Sequence, residues 1–184
     1  MATPRQRVRL DHTAKATALS NLNDTLAGLS QIDLINSASE YQILRDGIWA
    51  SWEGGTGTAL NISGQPNGME FELADIGQSD WLSLSFTLPL EVLHDSRYLV
   101  LIIKTNTQDF LSYRPSLRYL MQDRFEDRFC RDYIISTGGV EEQLSAYPVD
   151  PGLLEQSWGA EFHVFMQGSR FKVCFEHIEV ACIS

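Results

Sequence analysis

Between Arg114 and Asp132 the chain carries five arginines and four acids, a net of +1 in a protein of net charge −10, so the remainder holds −11. In and just beyond this stretch Phe125, Asp127, Phe129, Arg131 and Tyr133 alternate aromatic with charged, and Arg114 and Arg118 lie just before them. In an extended strand, side chains two apart share a face. Arginine forks match the planar oxygens of carboxylates and phosphates. Aromatic planes stack on the C–H faces of sugar rings, while Arg and Asp hydrogen-bond the hydroxyls. Two tryptophans offer further planes. Trp81 shares the polar side of its segment with Ser83, Ser85 and Thr87, and Trp158 stands near Glu155, Gln156 and Glu161. The expectation is one carbohydrate-binding surface made by Trp81, Arg114, Arg118, Asp127, Arg131, Tyr133 and Trp158, tolerant of an acidic glycan or sugar conjugate. The competing reading is a solvated face laced with ion pairs such as Asp127–Arg131, with the aromatics in the core.

Other chemistries find little support. There is no G-x-S-x-G elbow, phosphate-binding P-loop, G-x-G-x-x-G turn or H-E-x-x-H helix. His12, His94, His163 and His177 are scattered, and a metal site at His163 and His177 would need their strands to pair. The reading is a non-catalytic module, with a sandwich-fold hydrolase or lyase as an alternative. A net charge of −10 argues against nucleic acid, because phosphates must be neutralised to be bound. No segment approaches the length and apolarity of a membrane span. Cys130, Cys174 and Cys182 are odd in number, so they cannot all pair within the chain, and reduced thiols are expected. A cytoplasmic protein, or one exported without an N-terminal signal, fits these features.

The elements that must position those residues read as strands. Met69, Phe71 and Leu73 alternate with Glu70 and Glu72. Leu82, Leu84, Phe86 and Leu88 alternate with Trp81, Ser83, Ser85 and Thr87. Such period-2 alternation marks half-buried strands. Tyr98–Ile103 is apolar on both faces and predicts a central strand. Ile32–Ile35 and Tyr41–Trp49 are candidate strands as well. Segment 112–136 is ambiguous. An i+4 series (Leu117, Met121, Phe125, Phe129, Tyr133) suggests a helix but drifts around it, so two strands with a turn near Gln122–Arg124 are favoured. The phase change between Val173/Phe175 and Ile178/Val180 predicts a β-bulge near Glu176–His177 or a strand buried on both faces. Residues 1–31 form a basic arm with a short helix or irregular cover, and 32–184 form the main domain.

This succession, over roughly residues 40–183 and including an EFHVFMQG strand paired with a closing FKVCFEHIEVACI strand, resembles the galactose-binding-domain-like jelly-roll sandwiches. That group contains many carbohydrate-binding modules. The resemblance implies an all-β, antiparallel two-sheet jelly roll with a short N-terminal extension. It implies ligands on a concave sheet face or end loops, in a module of a usually non-catalytic kind. It also implies a structural calcium near the first and last strands, at Asp46 or Glu53 and at Glu176 or Glu179. The rival function is a protein-interaction or structural module beside a glycan-processing protein partner, with no sugar site of its own.

Overall fold

The computed structural model describes residues 12–52, 57–77, 79–131 and 133–184. The basic arm before residue 12, and Glu53, lie outside the described residues. Strands are numbered along the chain. One antiparallel sheet contains β1 (Tyr41–Arg45), β2 (Ile48–Trp52), β5 (Leu82–Leu88), β11 (Gly159–Gln167), β7 (Leu111–Leu120) and β8 (Phe125–Phe129), in that spatial order. The short β9 (Ile134–Ser136) also pairs with β7. The second sheet runs β10 (Gly139–Pro148), β6 (Tyr98–Thr107), β12 (Phe171–Ile183), β4 (Gly68–Asp75) and β3 (Ala59–Gln65). The result is a jelly-roll β-sandwich.

Period-2 patterning decides which face is inside. Ala50, Leu84, Phe86, Phe162, Val164 and Leu117 of the first sheet are buried against Leu60, Ile62, Phe71, Leu101, Ile103, Val173 and Val180 of the second. Tyr147 on β10 meets Phe162 on β11 across the sandwich, with ring centroids 5.1 Å apart. Burying such a side chain contributes about 1.5–3 kcal/mol.

The described residues up to Gln31 are helical. Helix α1 (His12–Ala27) and a 3-10 turn (Gly28–Gln31) place Leu22, Leu26 and Leu29 in the same core. The 3-10 turn presses so closely on β3 that a Cβ at Gly64 would overlap the Ser30 carbonyl. β12 pairs with β4 only as far as Phe175, and its register against β6 shifts between Phe175 and His177, the expected bulge. Beyond the bulge α1 packs on β12, and Asn23 supplies a side-chain amide to its backbone. Two short helices, α2 (Leu90–Leu93) and α3 (Pro151–Gln156), occupy connections. Asp150 caps α3, its Oδ1 accepting from the N–H groups of Gly152 and Leu153.

Several expectations need correction. Tyr41–Trp49 is not one strand but a hairpin turning at Asp46–Gly47, where Gly47 takes a left-handed φ of 70°. Ile32–Ile35 makes a single bridge, Ile35 to Ile62. β11 and β12 do not pair. The link at 168–170 crosses between sheets, so β11 lies between β5 and β7 while β12 lies between β4 and β6. His163 and His177 therefore sit in different sheets, and no metal site joins them. Segment 112–136 carries strands rather than a helix, with a turn between Leu120 and Phe125 as favoured, but its second part is split into β8 and β9 instead of forming one strand through Tyr133.

Candidate binding groove

Three cross-strand rows define the outer face of the first sheet. One runs Thr87, Glu161, Arg118, Asp127. The next runs Trp49, Ser85, His163, Ser116, Phe129. The third runs Tyr41, Ser51, Ser83, Phe165, Arg114. Small hydroxyl residues thus fall in the middle strands, with large rings and arginines on either side. Depth follows from that difference in side-chain size. The groove has a volume of about 550 Å³ and is lined by Tyr41, Trp49, Ser51, Trp81, Arg118, Phe125, Glu161, His163 and Phe165.

Ring contacts fix the walls. By ring centroids Tyr41 and Trp49 lie 5.8 Å apart, Trp49 and His163 meet edge to face at 6.1 Å, and His163 stacks on Phe165 at 5.6 Å. Phe165 also touches Trp81 at 5.7 Å and Phe129 at 5.9 Å. Tyr41 and Phe125 remain more than half exposed, which leaves ring surface open to a ligand although Arg118 lies over one face of Phe125.

Three of the five arginines between Arg114 and Asp132 meet carboxylates. Arg118 Nε and Nη2 donate to Asp127 Oδ1 and Oδ2, both at 2.8 Å, and the guanidinium lies 3.9 Å over the Phe125 ring. Arg128 approaches Glu126 and Asp150, and Arg124 approaches Glu126. Arg114 donates from Nε to the Cys130 carbonyl and lies over the rings of Phe129 and Tyr133. The positive island seen in the sequence is therefore largely an ion-paired face.

A hydrogen-bonded chain underlies the floor. Ser51 Oγ meets Ser83 Oγ at 3.1 Å, Ser83 Oγ meets Ser85 Oγ at 3.0 Å, and Ser85 Oγ meets His163 Nδ1 at 2.8 Å. His163 Nε2 meets Glu161 Oε2 at 3.0 Å. Ser85 is completely buried, so this serine, histidine and glutamate present no exposed nucleophile. Near the expected calcium positions, Glu176 accepts from Lys104, Asn106 and Asn67, and Glu179 contacts His177. These partners hold the Glu176 carboxyl below its usual range, the Lys104 hydrogen bond most strongly. Among the described residues no group of three or more His, Cys, Asp or Glu is placed to hold a metal ion.

Of the sequence-derived residues, Trp81 and Arg118 line the groove, Asp127 holds Arg118, and Arg114 and Tyr133 extend the aromatic bank beyond Phe129. Arg131 lies past the end of β8 and is exposed. Trp158 is not a lining residue. Its Nε1 donates to the Met121 carbonyl at 2.9 Å, pinning it beside the β7–β8 turn. Sequence reasoning missed Tyr41, Trp49, Ser51, Glu161, His163 and Phe165. Their signal was alternation (Trp49/Ser51, Ser83/Ser85, His163/Phe165), which becomes a site only once strand order is known.

No family model and no curated protein matches this chain. Solved structures do. A CBM4 structure superposes with a TM-score of 0.56 at 10% identity, covering 73% of this chain and 86% of that one. The CBM22-1 xylan-binding domain of Paenibacillus barcinonensis Xyn10C superposes at 0.51 and 7% identity, with the same coverage of 73% and 86%. The C-terminal family 22 carbohydrate-binding module of Clostridium thermocellum Xyn10B superposes at 0.50 and 9% identity, again over 73% and 86%. The chain has the jelly-roll fold of these modules. At such identities the likeness concerns the fold.

Proposed function

We propose that the protein binds a neutral carbohydrate chain in the groove on the outer face of the first sheet, without catalysing a reaction on it. One observation carries this reading: an open groove whose floor is hydroxyl and carboxylate and whose walls are aromatic planes. That combination suits a ring with C–H faces and hydroxyl edges. The fold neighbours, among them a xylan-binding domain, support the ligand class. Charge compensation favours a neutral sugar over the acidic glycan suggested by the arginine count, because the groove arginine already has its carboxylate. Tyr41, Trp81, Phe125 and Phe165 provide stacking, while Ser51 and Glu161 take hydroxyls. Arg114 and Tyr133 form an outer bank. A glycan-processing protein as partner belongs to the same reading.

Calorimetric titration with soluble xylan, a mixed-linkage β-glucan and polygalacturonate tests it. Binding on the order of micromolar to millimolar is expected for a neutral chain, since solvated hydrogen bonds contribute little each. Binding of polygalacturonate alone would restore the acidic-glycan reading. Heat-silent titrations with all three, repeated by affinity electrophoresis, would remove the carbohydrate reading.

A further inference from the structure

The chain of hydroxyls beneath the groove has a direction, and the direction follows from donor arithmetic. Each serine hydroxyl has one hydrogen, a carboxylate only accepts, and a neutral imidazole donates from one nitrogen and accepts at the other. Glu161 Oε2 sits 3.0 Å from His163 Nε2, so that nitrogen carries the hydrogen. His163 Nδ1 must then accept, and the group at 2.8 Å from it is Ser85 Oγ. Ser85 has thereby committed its hydrogen, so at 3.0 Å it accepts from Ser83. Ser83 has a second acceptor within reach, the Ser51 carbonyl at 3.4 Å. With either acceptor, Ser83 has no hydrogen left for the Ser51 hydroxyl. The 3.1 Å contact between Ser51 Oγ and Ser83 Oγ is satisfied only by the Ser51 hydrogen.

We infer that Ser51, Ser83, Ser85, His163 and Glu161 form a one-way relay that holds Ser51 as a hydrogen-bond acceptor toward the groove. Ser51 is the member of the serine run that lines the groove, whereas Ser83 and Ser85 are fully buried. Ser83 and Ser85 are positioning residues: fully buried, they set the polarity of Ser51 without reaching the ligand. Burial strengthens such aligned hydrogen bonds. Glu161, at the other end, also offers only acceptor oxygens. The groove floor therefore selects a ligand whose inward groups donate, meaning free sugar hydroxyls rather than O-acetyl, O-methyl or other donor-less substituents. Only this last step, the identity of the docked group, rests on the carbohydrate reading.

Two readouts separate the relay from that reading. Neutron diffraction from deuterium-exchanged crystals of the unliganded protein should place deuterium on His163 Nε2 and none on Nδ1. It should also place the Ser51 deuterium toward Ser83. Heteronuclear NMR of the intact labelled protein should report the same histidine tautomer in solution. Deuterium on Nδ1, or a Ser83 deuterium pointing at Ser51 Oγ, would overturn the relay whether or not sugars bind. Where a xylo-oligosaccharide binds, monodeoxyfluoro analogues test the selection, because fluorine cannot donate. At least one position should lose about tenfold in affinity, the scale of one hydrogen bond. Equal binding of every fluoro analogue would refute the selection while leaving carbohydrate binding intact.

Discussion

Arg118 and Asp127 are cross-strand neighbours on β7 and β8, and the guanidinium grips both carboxylate oxygens at 2.8 Å while lying 3.9 Å over the Phe125 ring. Both side chains are mostly shielded from water. Asp127→Asn should cost about 1–3 kcal/mol in urea unfolding, the scale of a hydrogen bond to a charged group. It should also give the groove a salt-sensitive attraction for polygalacturonate, measured by affinity electrophoresis, because Arg118 loses its countercharge. Unchanged polygalacturonate mobility would mean that this arginine does not face the ligand path.

The wall residues separate binding from stability. Tyr41 is 58% exposed, and Trp49 beside it is 8% exposed. Tyr41→Ala should lower sugar affinity by about 0.5–1.5 kcal/mol with little change in Tm. Trp49→Ala should lower Tm as well, because it removes a buried ring. Thermal melts and titrations on the same preparations check both.

Asn23 acts as a strand segment. Its Nδ2 donates to the Val180 carbonyl and its Oδ1 accepts from the Val180 N–H, each at 2.9 Å. Asn23→Ala leaves both backbone groups without these partners, so a loss of about 1–3 kcal/mol is expected. Hydrogen exchange at the Val180 amide should accelerate, while exchange at the Leu101 amide on β6 should hold.

The thiols give a pH test. Burial first, then the carboxylates of Glu176 and Glu70, push the Cys174 thiol above its ordinary value. Alkylation of Cys174 in the folded protein should therefore rise at higher pH than in the unfolded chain. Glu176→Gln should move that rise back toward lower pH. Cys130, Cys174 and Cys182 are free in the structure.

Alkaline stability follows from the buried phenols. Burial pushes Tyr113 up to about 12, and raises Tyr119 and Tyr147 as well. An unfolded tyrosine ionises near pH ~10. The folded state therefore holds its phenolic protons after the unfolded state has released them. This contribution to stability is complete below pH ~10 and is lost as pH climbs through the folded values. Unfolding free energy measured from pH 8 to 11 should fall, and Tyr113→Phe should flatten the decline.

Much of the fold was legible because each strand states its own phase. Leu82–Leu88 and Met69–Leu73 bury the residues that alternation assigns. The bulge was legible from the phase change across Glu176–His177. Pairing was not, since adjacency in sequence suggested that β11 and β12 meet, and nothing in a three-residue link tells a hairpin from a crossover. The site suffered from the same gap. Trp81 and Arg118 were found from local composition. Tyr41 and Ser51 share one hairpin, but His163 lies far later in the sequence, and only the order β1-β2-β5-β11-β7 brings them together. Trp158 was chosen for its polar neighbours, yet its indole is tied to Met121 outside the groove lining.

The most direct test of the groove as a carbohydrate site is a titration of soluble xylan and mixed-linkage β-glucan into the intact protein and into the Tyr41→Ala/Trp81→Ala double variant, with folding verified by circular dichroism. The account predicts measurable binding of at least one neutral chain by the intact protein, and a loss of tenfold or more in the variant, about 1.4 kcal/mol. Equal affinity in both proteins would contradict the account and place any sugar site elsewhere on the sandwich.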